Sequence, residues 1–267
     1  MKLADIILAI REFFLEFLGY LLPGTIFLLL FGYFLEDQAQ TSLIANFPET
    51  NRLYLFLAIA YVLGYALYGI SILKDKVIKY YNKLAMKVEH LFLPPAKFPK
   101  RDKPPFPRWL FRHLRIEDKI QVVMKIRHTR EYQITVDILK KHIDFPSDKM
   151  FSEKKAGEFA FVRNLALSFI PESDIKVATF VLRSELANFT STSLLLIGSC
   201  GIVNSLIPAN PLKLNGDPFY LYLYMLLLIA AYLLHITYMR FLKISKKIVF
   251  PIFIAKYYAI RHELEKD

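Results

Sequence analysis

Cysteine, glycine and tryptophan are scarce in this chain of 267 residues, which has one Cys, 9 Gly and one Trp. A lone Cys200 cannot form an internal disulfide, and so few glycines exclude a collagen-like repeat. Gly157 is the only glycine between Gly69 and Gly198, so that region has no glycine-rich phosphate loop. The six histidines are scattered without metal-ligand spacing. We therefore predict no enzyme, no catalytic residue, no metal site and no cofactor.

Apolar residues are abundant, at 55% of the chain, while charged residues stay at an ordinary 22%. That much apolar content excludes intrinsic disorder and suggests that apolar and charged residues are segregated. A helix of roughly 20 apolar residues crosses the hydrocarbon core of a bilayer. The chain has four stretches of about that length, at 17–35, 53–73, 189–207 and 219–239.

The distribution of lysine and arginine predicts how these spans are oriented. The segment 74–188 carries 24 basic and 14 acidic side chains, and the tail from Arg240 carries seven basic and three acidic. The loop 36–52 has a single basic residue, Arg52. Basic residues collect on the cytoplasmic side of membranes. This places both termini and the middle segment in the cytoplasm of a multi-pass protein, which we assign to the bacterial inner membrane.

The predicted architecture is an all-α membrane protein with four transmembrane helices and an α-helical cytoplasmic insert between spans two and three. Residues 1–73 form an N-terminal amphipathic helix and a first transmembrane hairpin. The basic cytoplasmic domain, 74–188, contains a proline-rich connector at 94–107 and helical periodicity over 112–145 and 153–170. A second hairpin, 189–242, precedes a basic tail helix, 243–267. That tail either lies on the membrane surface or docks on the middle domain.

Span three carries polar side chains on one helical face. Thr190, Ser193, Cys200 and Asn204 fall within about 80° of each other at 100° per residue. Polar groups at membrane depth face protein or water. The stripe is therefore either the lining of a pore or a helix–helix seam, and in an oligomer both can hold.

Two further sequence features concern helix geometry. Pro23 and Gly24 interrupt span one, which predicts either a gating hinge or a static kink. In span two, Ala60, Gly64 and Gly69 predict a face on which another helix packs closely.

The basic residues have two interpretations. Lysines next to the spans are explained by attraction to anionic lipid head groups. A second set could present a face that binds an anionic ligand or a cytoplasmic protein, with solvated surface as the alternative. The set consists of Arg108, Arg112, Arg115, Lys119, Arg127 and Arg130.

The stretches LGYLLPGTIFLLLFGYFL in span one and YVLGYALYGIS in span two, with the order of spans and insert, resemble multi-spanning membrane effector proteins of bacterial anti-phage defence systems. The resemblance implies a homo-oligomeric pore or membrane effector that is switched through its cytoplasmic domain. A non-conducting membrane anchor or assembly subunit that recruits a soluble partner is the alternative hypothesis. A small transporter or membrane enzyme is the third.

Overall fold

The computed structural model describes residues 3–35, 52–92, 116–142, 155–170, 175–207, 212 and 214–264. These residues are helical apart from short turns and one isolated bridge between Leu35 and Leu214, which confirms the all-α prediction for this part of the chain. The proline-rich connector 94–107 and the residues Arg108, Arg112 and Arg115 lie outside the described residues. The helices are α1 Leu3–Phe34, α2 Arg52–Phe92, α3 Lys119–Arg127, α4 Arg130–His142, α5 Lys155–Ser168, α6 Ile175–Leu206, α7 Pro218–Lys247 and α8 Val249–Leu264.

Four helical segments are long and apolar enough to cross a membrane, which confirms the number of candidate spans. The apolar stretches predicted from the sequence are parts of longer helices. The N-terminal helix and span one form the single helix α1, and α2 continues well beyond residue 73. Likewise, α6 begins at Ile175, so the helix that precedes span three runs into it without a break.

The third of these helices, α6, is the central one. Within its most apolar stretch 56% of the residues are buried inside the chain, against 17–22% for the others. It packs along α7 over much of its length, and α1 packs against both α2 and α6. The three outer helices therefore keep a broad apolar surface, as expected for helices that face lipid.

The short helices α3, α4 and α5 form a separate core together with α8, and we call these four helices the insert domain. Phe250 of α8 is fully buried, and its ring meets the rings of Tyr132 and Phe159 edge-on, with centroids 5.2 and 5.8 Å apart. The tail helix thus docks on the middle segment. The same core includes Ala187 of α6 and Met239 of α7, so the insert domain is joined to the long helices by continuous apolar packing.

One helix predicted over 112–145 is two helices in the structure. The Thr129 backbone N–H and hydroxyl both donate to the Ile126 carbonyl, at 2.9 and 2.7 Å. This tight turn ends α3 at Arg127, and α4 begins at Arg130. The start of α3 is capped by Asp118, whose carboxylate accepts from the Gln121 backbone N–H at 2.9 Å.

Candidate functional site

A group of polar side chains lies where the insert domain meets the long helices, and we call it the junction cluster. Its members come from α2, α3, α6 and α7 and are Lys74, Asp75, Lys119, Asn188, Ser191, His235 and Tyr238. Five of the seven are buried, although polar groups buried in an apolar setting are costly unless they are hydrogen-bonded. The junction cluster is therefore the strongest candidate for a functional site in the described structure.

Lys74 is the centre of the junction cluster. Its side chain is only 8% exposed, and its ammonium donates to the Asn188 carbonyl at 3.2 Å and to the Ser191 hydroxyl at 3.4 Å. The ammonium also lies 5.8 Å from the centre of the Tyr238 ring, a favourable cation–π distance. All of these partners are neutral. The neighbouring Asp75 carboxylate acts on the ammonium electrostatically but forms its close ion pair with Lys119, so Lys74 retains the capacity to bind an anion.

The second cation of the cluster, Lys119, has a full counter-charge. Its ammonium lies 2.7 Å from the Asp75 carboxylate and 6.0 Å from the centre of the Tyr238 ring. Partial burial alone would lower the pKa of Lys119, but the contacts with Asp75 and Tyr238 together outweigh it, so the pKa is raised above its ordinary value. Lys119 is therefore a fixed cation that ties α3 to α2.

Two further contacts hold the first residues of the insert against the long helices. The Asn82 side-chain amide of α2 donates to the Ile116 carbonyl at 2.6 Å and accepts from the Ile116 N–H at 3.1 Å. His235 of α7 is 5% exposed, and its Nε2 lies 3.3 Å from the Glu117 carbonyl oxygen. The His235 Nδ1 is buried without a hydrogen-bond partner. Because Nε2 faces a carbonyl oxygen and must carry the proton, Nδ1 of the neutral ring is a buried acceptor.

Two ion pairs outside the junction cluster link helices of the insert domain to each other and to α7. Lys247 at the end of α7 lies 2.9 Å from the Glu131 carboxylate of α4, and this bond lowers the pKa of Glu131. Arg127 pairs with Glu158, which links α3 to α5. Of the basic residues predicted to bind an anion, Lys119 and Arg127 are thus paired with carboxylates, and Arg130 is exposed. The three described members of that set do not form one uncompensated patch.

The polar residues of span three lie in different surroundings. Ser193 is fully buried and its hydroxyl bonds the Phe189 carbonyl at 3.0 Å and the Pro23 carbonyl of α1 at 3.4 Å. Thr190 is half-buried, whereas Cys200 is exposed on the outer face of the helix.

Asn204, at the far end of α6, holds the loop that leads to α7. Its amide donates to the Leu214 carbonyl at 3.2 Å, and its side-chain oxygen accepts from the Leu212 N–H at 3.0 Å. Leu214 in turn forms the bridge with Leu35, so Asn204 supports the contact between this loop and the end of α1.

The close contact between α1 and α2 is formed by glycines. A Cβ added at Gly24 would lie 1.8 Å from the Ala60 carbonyl oxygen, and one added at Gly64 would lie 2.1 Å from the Tyr20 carbonyl oxygen. Gly24, next to Pro23, thus allows the two backbones to touch. Gly69 has no heavy atom within 4 Å of its virtual Cβ and lies away from this contact.

The sequence did not indicate the surroundings of two residues at the junction, Lys74 and Asn82. Lys74 was assigned to lipid head groups because it follows an apolar stretch, and Asn82 was not singled out. Both are buried by residues far away in the sequence. Gly198 and Gly201 were also missed. They allow α7 to approach α6, since a Cβ at Gly201 would lie 2.4 Å from the Tyr224 ring.

The residues that the structure describes form an all-helical chain, and four of its helices are long and apolar enough to span a membrane. Within the residues that the structure describes, no group of His, Cys, Asp and Glu could hold a metal ion. Comparison with protein-family models, curated proteins and solved structures gave no match.

Proposed function

We propose that this protein is an integral membrane protein that holds its insert domain at the membrane surface as a docking platform for a soluble partner. The observation that carries the proposal is the continuous core between the insert domain and the long helices. Ala187, Tyr238 and Met239 belong to that core together with Phe250 and Phe253. A domain fused to its anchor in this way presents its outer surface in a fixed orientation.

The polar contacts of α6 support a non-conducting role for the single chain. The Ser193 hydroxyl and the Asn204 amide are both bonded to carbonyl oxygens of the same chain. Hydrogen bonds made between helices remove the need for a water column beside these side chains.

The surface best suited to a partner is a groove of about 630 Å³ between α4 and α8. It combines basic side chains with aromatic and aliphatic ones, of which Phe169, Tyr258 and Ile260 are 44–52% exposed. Apolar centres with a charged rim are typical of protein interfaces. Lys141 and Lys256 line the groove, and no carboxylate is among its described lining residues, so the fitting partner is an acidic segment with apolar anchors.

The test compares charge reversal in the groove with charge reversal elsewhere. Proximity labelling from the full-length protein in its native membrane should enrich a partner, and Lys141→Glu with Lys256→Glu should remove that partner. The matched control is Lys83→Glu with Lys87→Glu, which reverses two exposed lysines of α2. Equal labelling by wild type and groove variant would contradict the proposal.

A regulated oligomeric pore or membrane effector of the cytoplasmic membrane is the second candidate, and one observation favours it. The hydroxyls of Tyr61 and Tyr65 bond each other at 3.2 Å on an exposed face of α2 within its apolar stretch. Hydroxyls on a face turned to lipid favour contact with another polar surface, such as a second copy of the chain.

Membrane depolarisation on expression and ion flux into liposomes distinguish the two candidates. The platform predicts neither. A pore predicts both, together with a complex of several copies whose assembly is weakened by Tyr61→Phe with Tyr65→Phe.

A further inference from the structure

A cavity of about 470 Å³ opens between α2, α6 and α7 beside the junction cluster. That size lies within the range of about 300–1,000 Å³ typical of small-ligand sites. On α2 the cavity runs from Ile70 to Tyr81, which is roughly 16 Å of helix at about 1.5 Å per residue. Most of its walls are aliphatic, formed by Ile70, Leu73, Val77, Leu195, Leu196 and Leu228.

The polar groups of the cavity are gathered at the end nearer the insert domain. Ile116, the first described residue of the insert, lines this end together with Ser191 and His235. Leu196 and Leu228 line the opposite end, deeper along the long helices. The cavity is therefore amphipathic along its length, as is a lipid whose head group lies at the surface and whose acyl chain points into the bilayer.

Lys74 supplies the charge that selects the head group. An ammonium has three N–H donors, and the bonds to Asn188 and Ser191 use two of them. His235 also lines the cavity, but its Nε2 faces the Glu117 carbonyl oxygen, so the ring adds a polar wall and not a second cation. One ammonium beside an otherwise apolar cavity matches a phosphate diester with an attached acyl chain.

We infer that this cavity binds one anionic phospholipid from the leaflet on the side of the insert domain, with its phosphate on Lys74 and an acyl chain along α2, α6 and α7. The inference rests on the membrane embedding proposed above and is independent of whether the protein docks a partner or conducts ions. A lipid bound there would fill the gap between helices that the chain itself leaves open.

The experiment uses the full chain, extracted in a mild detergent and analysed by native mass spectrometry with added lipids. Three probes are compared: dioleoyl-phosphatidylglycerol, dioleoylglycerol without the phosphate, and free oleate. Phosphatidylglycerol should bind as one retained molecule per chain, about tenfold or more tightly than dioleoylglycerol, which is the fold-change of one charge-assisted hydrogen bond. Equal binding of the two diacyl probes overturns the role of Lys74. Tighter binding of oleate at the same site overturns the phospholipid assignment.

Two variants locate the site. Lys74→Met should reduce phosphatidylglycerol binding by a similar factor, and Lys83→Met, an exposed lysine on the same helix, should leave it unchanged. Leu195→Trp keeps Lys74 and fills the apolar end, so it should also remove the bound lipid. Its control is Val203→Trp on the exposed face of α6. Retained binding in Leu195→Trp overturns the inference even where Lys74→Met fails to fold.

A preliminary measurement separates the two proposals. The fraction of protein that stays in carbonate-washed membranes tests the embedding alone. Loss from washed membranes overturns the embedding and the lipid site together. Retention in membranes without a selective lipid adduct overturns the lipid site and leaves the proposed platform standing.

Discussion

Alanine substitutions at the glycines of α1 and α2 should have opposite effects, depending on where each glycine lies. At Gly24 and Gly64 the added Cβ would lie 1.8 and 2.1 Å from backbone oxygens, far below the 3.0 Å that real contacts keep. Because those neighbours are backbone atoms, no rotamer change relieves the clash and the helices must separate. At Gly32 and Gly69 the added Cβ meets no atom within 4 Å.

The sizes of two opposing effects decide whether each alanine substitution raises or lowers the free energy of unfolding. Overpacking costs about 1–3 kcal/mol, whereas replacing glycine by alanine within a helix gains about 0.8–1 kcal/mol. Gly24→Ala and Gly64→Ala should therefore lower the free energy of unfolding, by up to about 2 kcal/mol. Gly32→Ala and Gly69→Ala should raise it by up to about 1 kcal/mol. The assay is thermal unfolding of the detergent-solubilised protein followed by circular dichroism, with Tm moving by about 2–4 °C per kcal/mol for a chain of this size.

A double variant adds a second criterion. Gly24 and Gly64 lie on the same contact, so once one alanine has separated the helices the second should cost less than it does alone. Gly24→Ala combined with Gly201→Ala, which affects the separate contact of α6 with α7, should be additive within about 0.5 kcal/mol. A stabilising effect of Gly64→Ala equal to that of Gly69→Ala would refute the close approach of α1 and α2.

Three further predictions concern a titration, a loop and the tail helix. Burial raises the pKa of Tyr132 to about 12 in the folded chain. As the pH rises, Tyr132 therefore ionises in the unfolded chain before it ionises in the folded chain. The folded state loses stability as a result between about pH 10 and 12. At pH 11, Tyr132→Phe should remove about 1.4 kcal/mol of the stability that the wild type loses in alkali, as measured by chemical denaturation. Identical dependence of stability on pH in wild type and Tyr132→Phe would contradict this. Asn204→Leu removes the hydrogen bonds of the Asn204 side chain with the Leu214 carbonyl and the Leu212 N–H and should cost about 1–3 kcal/mol. Chemical unfolding measures this cost, and Val203→Leu is the neutral control. Phe250→Ala should lower the free energy of unfolding by about 3–5 kcal/mol and expose α8 to limited proteolysis. The control, Ile260→Ala on the exposed face of α8, should do neither. If α8 is cleaved no faster in Phe250→Ala than in wild type, it does not dock through Phe250.

The long helices could be predicted because their signal is local. A run of apolar residues such as 53–73 is sufficient to indicate a helix that can cross a membrane, whatever the rest of the chain does. The continuity of α6 through Ile175 was also accessible, since no helix-breaking residue lies between Ile175 and Thr190. The break between α3 and α4 was not, because it depends on hydrogen bonds of Thr129 rather than on proline or glycine.

The junction cluster could not be predicted because its signal is not local. A lysine that follows an apolar stretch is, by sequence, an exposed residue next to the membrane. Lys74 is buried between helices, where Asn188, which lies 114 residues further along the chain, offers its carbonyl oxygen. The docking of α8 is similarly a long-range event, in which Phe250 packs on Tyr132. Periodicity identified the apolar face of the tail without indicating what would cover it.

The contacts of α6 connect the insert end of the molecule to the opposite end. Near its insert end, Asn188 and Ser191 accept hydrogen bonds from Lys74, and at its other end Asn204 holds the loop before α7. Between these ends Gly198 brings α6 and α7 into close contact, so the pair cannot slide without repacking. The insert domain, which shares its core with Ala187 of α6 and Met239 of α7, is therefore joined to a pair of long helices that packs as one unit.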